Sequence, residues 1–133
     1  MKKFKEKGRY NNFYGKYEIG GGTTIGSFCD VGNCKIGKNC SIQSYVFIPA
    51  GVEIGDNVFI GPRTIFLNDK FPPSYGKDWG KIKIENNASI GGGCIILPDV
   101  VIGEGSLVGA GSVVTKSIPP GEIWVGCPAT FLR

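Results

Sequence analysis

No histidine occurs among the 133 residues, and methionine occurs once. Imidazole is the side chain that exchanges protons near neutrality, so a Ser-His-Asp or Cys-His nucleophile and a His-ligated catalytic zinc are excluded for this chain. Acid–base chemistry must use carboxylates, tyrosine, lysine or the substrate's own groups. No apolar run approaches the roughly 20 residues that cross a bilayer. The basic start MKKFKEKGRY lacks the apolar segment of a secretion signal. A soluble, cytoplasmic protein is the expectation. The body of the chain also lacks net charge: Lys2, Lys3, Lys5, Lys7 and Arg9 against Glu6 account for the whole net charge of +4. A nucleic-acid binder carries a basic stripe across its fold. Neither nucleic acid nor membrane is therefore an expected partner, and residues 1–17 read as a basic and aromatic N-terminal arm. Its Phe4, Tyr10, Phe13, Tyr14 and Tyr17 are placed to cap an open strand edge.

What the chain does contain is glycine, at 22 positions, and a repeat. Every sixth residue reads Ile36, Ile42, Ile48, Ile54, Ile60 and Phe66, then, after a gap, Ile84, Ile90, Ile96, Ile102, Val108 and Val114. All are Ile, Val or Phe, although Ile, Leu, Val and Phe together fill only 38 of 133 positions. Ile19, Ile25 and Val31 keep the period but run one residue out of phase, so one residue is missing after Val31. The position two before each aliphatic is mostly small, as at Cys34, Cys40, Ala88, Cys94, Ser106 and Ser112. In an extended segment residues i and i−2 face the same side. Each hexad therefore turns one large and one mostly small side chain inward, and a following glycine allows a corner. A helix repeats near 3.6 residues and does not fit. The pattern predicts an all-β solenoid of short parallel strands, three faces to a coil, with about five triangular coils over 18–115. One loop is extruded at 68–83, and a C-terminal tail covers 116–133.

Cys29, Cys34, Cys40 and Cys94 fall at the small inward position and read as small hydrophobes, with Cys127 alone outside the pattern. The count is odd and no Cys-x-x-Cys occurs, so no metal is expected. GNCKIGK, residues 32–38, is one residue short of a phosphate-binding P-loop. Asn39 replaces the magnesium-binding hydroxyl residue, and the segment lies within the hexad register with no helix to follow. The loop carries Phe71, Tyr75 and Trp79 with Asp69 and Asp78. Such aromatics need something to cover: the coil wall, a neighbouring subunit or a ligand.

The [Ile/Val]-Gly hexads, Gly109-Ala110-Gly111, Val113-Val114-Thr115-Lys116, Ile118-Pro119-Pro120 and Val125-Gly126-Cys127-Pro128-Ala129 together resemble the left-handed parallel β-helix acyltransferases of the hexapeptide-repeat superfamily. The left hand of the coil is implied by that resemblance alone. A narrower likeness, through Ile42-Gln43, Val46-Phe47-Ile48, residues 55–62 and Phe66 to Pro72, is to the subgroup that N-acetylates nucleotide-linked amino sugars of 3-amino or diamino type for surface polysaccharide. It implies an acetyl-CoA-dependent N-acetyltransferase working as a homotrimer with sites between subunits. Asn68 and Asp69 fill the family position at the loop root, Asp69 as orienter or weak base and Asn68 as hydrogen-bond partner. Asn-Asp at a loop start is equally ordinary turn chemistry.

The resemblance also assigns Gly92, Gly109, Ala110 and Gly111 to the arm of acetyl-CoA, Lys116 and Arg133 to its phosphates, and Gln43 and Tyr45 to the acceptor surface. Asp99 departs from the glycine common there, and the residue missing after Val31 is expected to distort an early coil. The chemistry favours an amine independently. A hydroxyl needs a strong base, whereas an amine titrating near 7.7–8 only has to be neutral and well placed. An O-acetyltransferase acting on a small sugar or antibiotic, and a non-catalytic β-helix scaffold, are the competing readings.

Overall fold

The computed structural model describes residues 4–133; Lys2 and Lys3 of the basic run lie outside the described residues. Three parallel sheets form the faces of a triangular prism. The first face stacks Lys5–Glu6, Thr24–Ile25, Ser41–Ile42, Phe59–Ile60, Ser89–Ile90, Leu107–Val108 and Ile123–Gly126. The second stacks Asn12–Phe13, Asp30–Val31, Phe47–Ile48, Ile65–Phe66, Ile95–Ile96 and Val113–Val114. The third stacks Glu18–Ile19, Lys35–Ile36, Val52–Ile54, Ile82–Ile84 and Val100–Ile102, with Ile118 bridged to Ile102. Among the described residues there is no helix long and apolar enough to cross a membrane.

The hexad aliphatics fill the prism: Ile25, Val31, Ile48, Ile60, Phe66, Ile84, Ile96 and Val114 are all fully buried. Coils stack about 4.8 Å apart, which leaves no room for side chains where corners cross. A Cβ on Gly61 would run into the backbone of Gly91 and Gly92 in the next coil.

The coil is longer than the repeat implied, with six turns and the first strand of a seventh among the described residues. Residues 5–19 are coiled onto the next turn, Lys5 opposite Thr24, Asn12 opposite Asp30 and Glu18 opposite Lys35. The missing residue after Val31 does not distort a coil. Gly32, Asn33 and Cys34 make a corner one residue shorter than its neighbours, and the register recovers at Lys35 opposite Glu53. Asp99 takes the left-handed backbone (φ 66°) that its glycine-like position demands. The strand resumes at Ile82, so the extruded loop ends at Lys81. The tail continues the coil as Ile123–Gly126, then folds back antiparallel as Ala129–Phe131.

The inward cysteines do more than fill space. Cys29 Sγ donates to the Gln43 carbonyl (3.1 Å), Cys40 to Gly55 (3.0 Å) and Cys94 to Gly109 (3.2 Å). Thr23 and Thr64 hydroxyls make the same bond to Gly37 and Gly91. A corner carbonyl facing inward would otherwise be buried unpaired, a cost of about 1–3 kcal/mol. Burial pushes all four inward thiols up, Cys34 to about 12. They stay protonated in the fold, and a neutral thiol is a poor nucleophile. An alkylating reagent on native protein is expected to modify Cys127 alone, the exposed one of five. The other thiols should react only on unfolding, as intact mass will show; rapid multiple labelling would contradict the burial. Because folded Cys34 holds its proton past the ordinary thiol value near 9, stability falls as pH rises from there toward about 12.

Candidate active site

Two edges of the prism carry the candidate residues. The front edge, between the first and second faces, places one residue per coil in the left-handed region: Tyr10, Phe28, Tyr45, Arg63, Gly93 and Gly111 (φ 59–71°). The rear edge, between the third and first faces, fills the equivalent place with Gly22, Asn39, Asn57, Asn87, Gly105 and Gly121, the residues that conformation favours. Four bulky side chains on the front edge therefore hold a backbone that costs each about 1 kcal/mol. Their rings form a column. Tyr10 stacks on Phe28 (centroids 5.2 Å), Phe28 on Tyr45 (5.1 Å), and the Arg63 guanidinium lies 4.7 Å over Tyr45. Each ring pair returns about 0.5–1.5 kcal/mol, so the column holds itself while its edges stay exposed. The sequence pointed to neither Arg63 nor Phe28, and to Tyr10 only as a cap for an open strand edge. The signal was available in their spacing of one coil each and in the glycines that continue the series.

Below Arg63 the column stops. Gly93 and Gly111 have nothing within 4 Å of the place a Cβ would occupy, so two coil steps of bare backbone follow. Gly92 and exposed Ala110 flank this shelf. Gly109 has another reason to be glycine, since a side chain there would strike Val125 of the tail. Gln43 and Tyr45 share the same edge two to three coils away, Gln43 donating from Nε2 to Ser41 Oγ (2.8 Å). The front edge thus gathers Gln43, Tyr45, Gly92, Gly109, Ala110 and Gly111.

Asn68 and Asp69 lie on the other side of the second face, at its loop edge. Asn68 donates from Nδ2 to the Ala50 carbonyl one coil away (2.9 Å), and its own carbonyl accepts from Gly80 N–H (2.7 Å). Asp69 and Trp79 form an antiparallel bridge, so the loop is pinched shut at its root. Asp69 Oδ2 accepts from Ser74 N–H (2.8 Å), while Oδ1 is buried with no hydrogen-bond partner. Turn chemistry accounts for one oxygen and leaves the other. Beyond the root, Phe71 and Tyr75 are 78% and 87% exposed, so the coil wall of their own chain does not cover them.

Lys116 stands exposed on the loop edge of the sixth coil, at the rim of an apolar hollow of about 140 Å³ lined by Trp124, Pro128 and Phe131. Arg133 is tied through its backbone to Ile123 at the end of the first face. Asp69 and the glycine shelf are not brought together within one chain. A strand and its two corners separate the edges, roughly 16 Å at 3.3 Å per residue.

The chain matches the model of the bacterial transferase hexapeptide family (six repeats) over residues 16–50, 33–68 and 81–116. A Schizosaccharomyces pombe protein named as an inferred acetyltransferase is 44% identical over 101 residues, covering 71% of this chain and 47% of the relative. The galactoside O-acetyltransferase of Escherichia coli is 40% identical over 109 residues, covering 76% and 54%. The chain thus spans about half the length of these curated relatives. A solved structure of a mutant of AntD, an N-acyltransferase from Bacillus cereus, in complex with dTDP-4-amino-4,6-dideoxyglucose and coenzyme A, superposes with a TM-score of 0.84 at 28% identity, over 98% of this chain and 81% of that one. With most of its length in matched repeats coiled into one parallel prism, the chain belongs to the hexapeptide-repeat transferases of the left-handed β-helix superfamily.

Proposed function

We propose that the protein transfers an acetyl group from acetyl-CoA to the amine of a nucleotide-linked amino sugar, in the cytoplasm, for surface polysaccharide synthesis. The observation that carries this reading is the buried, unpartnered Oδ1 of Asp69. A carboxylate oxygen out of water calls for a donor, and an acceptor amine supplies one through its N–H. That hydrogen bond aims the nitrogen lone pair at the thioester carbonyl. The C–N bond forms, the tetrahedral centre collapses, and the C–S bond breaks with the sulfur taking its electron pair. The amine's surplus proton passes by way of Asp69 or water to solvent or the departing thiolate. Products are the N-acetyl sugar and CoA thiol.

The donor lies along the front edge, where Gly92, Ala110 and Gly111 leave backbone groups open to a pantetheine arm. Lys116 and Arg133 are the cations for its phosphates, and no metal is required. With Asp69 on the loop edge and the glycine shelf on the front edge, each site is built between two copies of a homotrimer. Two features support that assembly. Phe47, Ile65, Ile95 and Val113 stack as a half-buried apolar ladder on the outside of the second face, and Phe71 and Tyr75 reach away from their own coil. The CoA and amino-sugar nucleotide held by the similar AntD structure support the same substrates.

Thiol release from acetyl-CoA across a panel of nucleotide amino sugars tests the proposal. At least one should turn over, at a rate that climbs through about pH 7.7–8 as the amine loses its proton. No turnover together with no CoA binding in calorimetry rejects it. Likeness to the galactoside enzyme favours the second reading, an O-acetyltransferase, which turnover of a hydroxyl acceptor surviving Asp69→Ala would establish.

A further inference from the structure

We propose that the first three coils of the front edge form a nucleoside-diphosphate site, with the diphosphate in the cleft between Lys7 and Gln43 and the base against Tyr10. The cleft holds about 270 Å³ beside the aromatic column and is lined by Lys7, Thr24, Ser27, Ser41, Gln43 and Ser44. No carboxylate lines it. Three of its hydroxyls are already acceptors within the protein. Ser27 Oγ accepts from Arg9 N–H (3.0 Å), Ser44 Oγ from Ser27 N–H (3.1 Å) and Ser41 Oγ from Gln43 Nε2 (2.8 Å). A hydroxyl that accepts still has its own O–H to give. Three such donors beside an ammonium complement an acceptor-only anion, and a diphosphate is one.

The charge agrees. The protein's excess positive charge is concentrated in residues 1–9; Lys5, Lys7 and Arg9 belong to the first coil, which pairs with the second, and Lys7 lines this cleft. Tyr10 heads the column, 73% exposed, with one ring face on Phe28. It offers its other face to a planar base, as exposed aromatics do for nucleobases. From Tyr10 to Arg63 is three coil steps, roughly 14 Å. A base at the first coil and a diphosphate beside the second and third would carry a terminal sugar to the fourth. That is the coil from which the Asp69 loop is extruded. This assignment rests on the nucleotide-linked acceptor proposed above, and it can fail separately.

Two sources could supply the nucleoside diphosphate, the acceptor or the ADP portion of CoA, and the acceptor is the one assigned. The probes are dTDP, UDP and GDP in titration calorimetry, with inorganic pyrophosphate as competitor. Wild type should bind at least one, pyrophosphate should displace it, and Lys7→Ala and Tyr10→Ala should each weaken it about tenfold or more. Lys7→Arg should restore affinity, and Lys83→Ala, on the third face, should leave it unchanged. CoA affinity should be unaffected throughout. The site is overturned if no nucleoside diphosphate binds, if the variants bind as wild type does, or if CoA affinity falls in step. Turnover of a nucleotide amino sugar with Lys7→Ala and Tyr10→Ala indifferent would reject the site and leave the proposed function standing. Selective loss of nucleoside-diphosphate binding, with no amine acetylated by wild type, would do the reverse.

Discussion

Asp69→Asn is expected to lower kcat about a hundredfold while leaving the KM for acetyl-CoA within about twofold, the size of effect a positioned acid–base group contributes. The substitution keeps an oxygen to accept from Ser74 N–H, so the pinched loop root survives. It removes the negative charge and offers the acceptor amine a weaker oxygen or an opposing NH₂ group. A side chain that mattered only for the turn would tolerate the change, because asparagine and aspartate are near equals there. The pH profile distinguishes the two roles left to Asp69. If it orients the amine, the variant keeps the wild-type rise through about pH 7.7–8 with a lower plateau, since that rise belongs to the substrate. If it is the base, the variant's profile shifts alkaline as hydroxide substitutes for it. We expect the first pattern. Wild-type kcat in the variant would remove Asp69 from the chemistry altogether.

The faces of the prism were legible because their cause is periodic: each of Ile36 to Val114 meets the same buried environment one face further round. The ends were not, because other residue types satisfy the same geometry there. In the first coil the inward places include Glu6 and Asn11. Asn11 Nδ2 bonds the Glu6 carboxylate and the Gly26 carbonyl (3.1 and 2.6 Å), while its Oδ1 accepts from Cys29 N–H. Glu6 stands in place of the aliphatic opposite Ile25 and Asn11 in place of the small residue opposite Cys29, a polar pair that satisfies itself and its neighbours, so the hexad is broken at this face while the coil continues. At the other end Pro119-Pro120 hides a turn that Ile118 and Ile123 complete. Within the site, the motif residues Asn68 and Asp69 were readable, but the orphaned Oδ1 exists only once the loop has closed. Tyr10, Phe28, Tyr45 and Arg63 sit one coil apart in sequence and could have been aligned. Their meaning depended on the left-handed corner, which a bulky residue gives no sign of occupying.

The separation of the two edges leads to the second large effect. Gly111→Tyr is expected to abolish turnover as Asp69→Asn does, and for a different reason. The open, left-handed corner at Gly111 accepts a bulky residue in this fold, as Tyr10 and Tyr45 show at the same place in earlier coils. The substitution should therefore leave the coil intact and fill the shelf proposed for the donor. Each variant alone then retains about a hundredth of wild-type activity or less, Asp69→Asn through kcat and Gly111→Tyr through CoA affinity. If each site takes Asp69 from one copy and Gly111 from the next, co-expressing the variants in equal amounts rebuilds some sites from two undamaged halves. In a three-membered ring that contains both variants, about one site in three has both halves intact, whichever variant is in the majority. Activity should recover to roughly a third of wild type, read as specific activity of the mixed ring after tandem affinity tags select assemblies containing both chains. A site contained in one chain has no intact copy in any such mixture, so absence of recovery would return both edges to a single subunit. The roughly 16 Å across the second face makes that alternative physically awkward, since no side chain of either residue spans it.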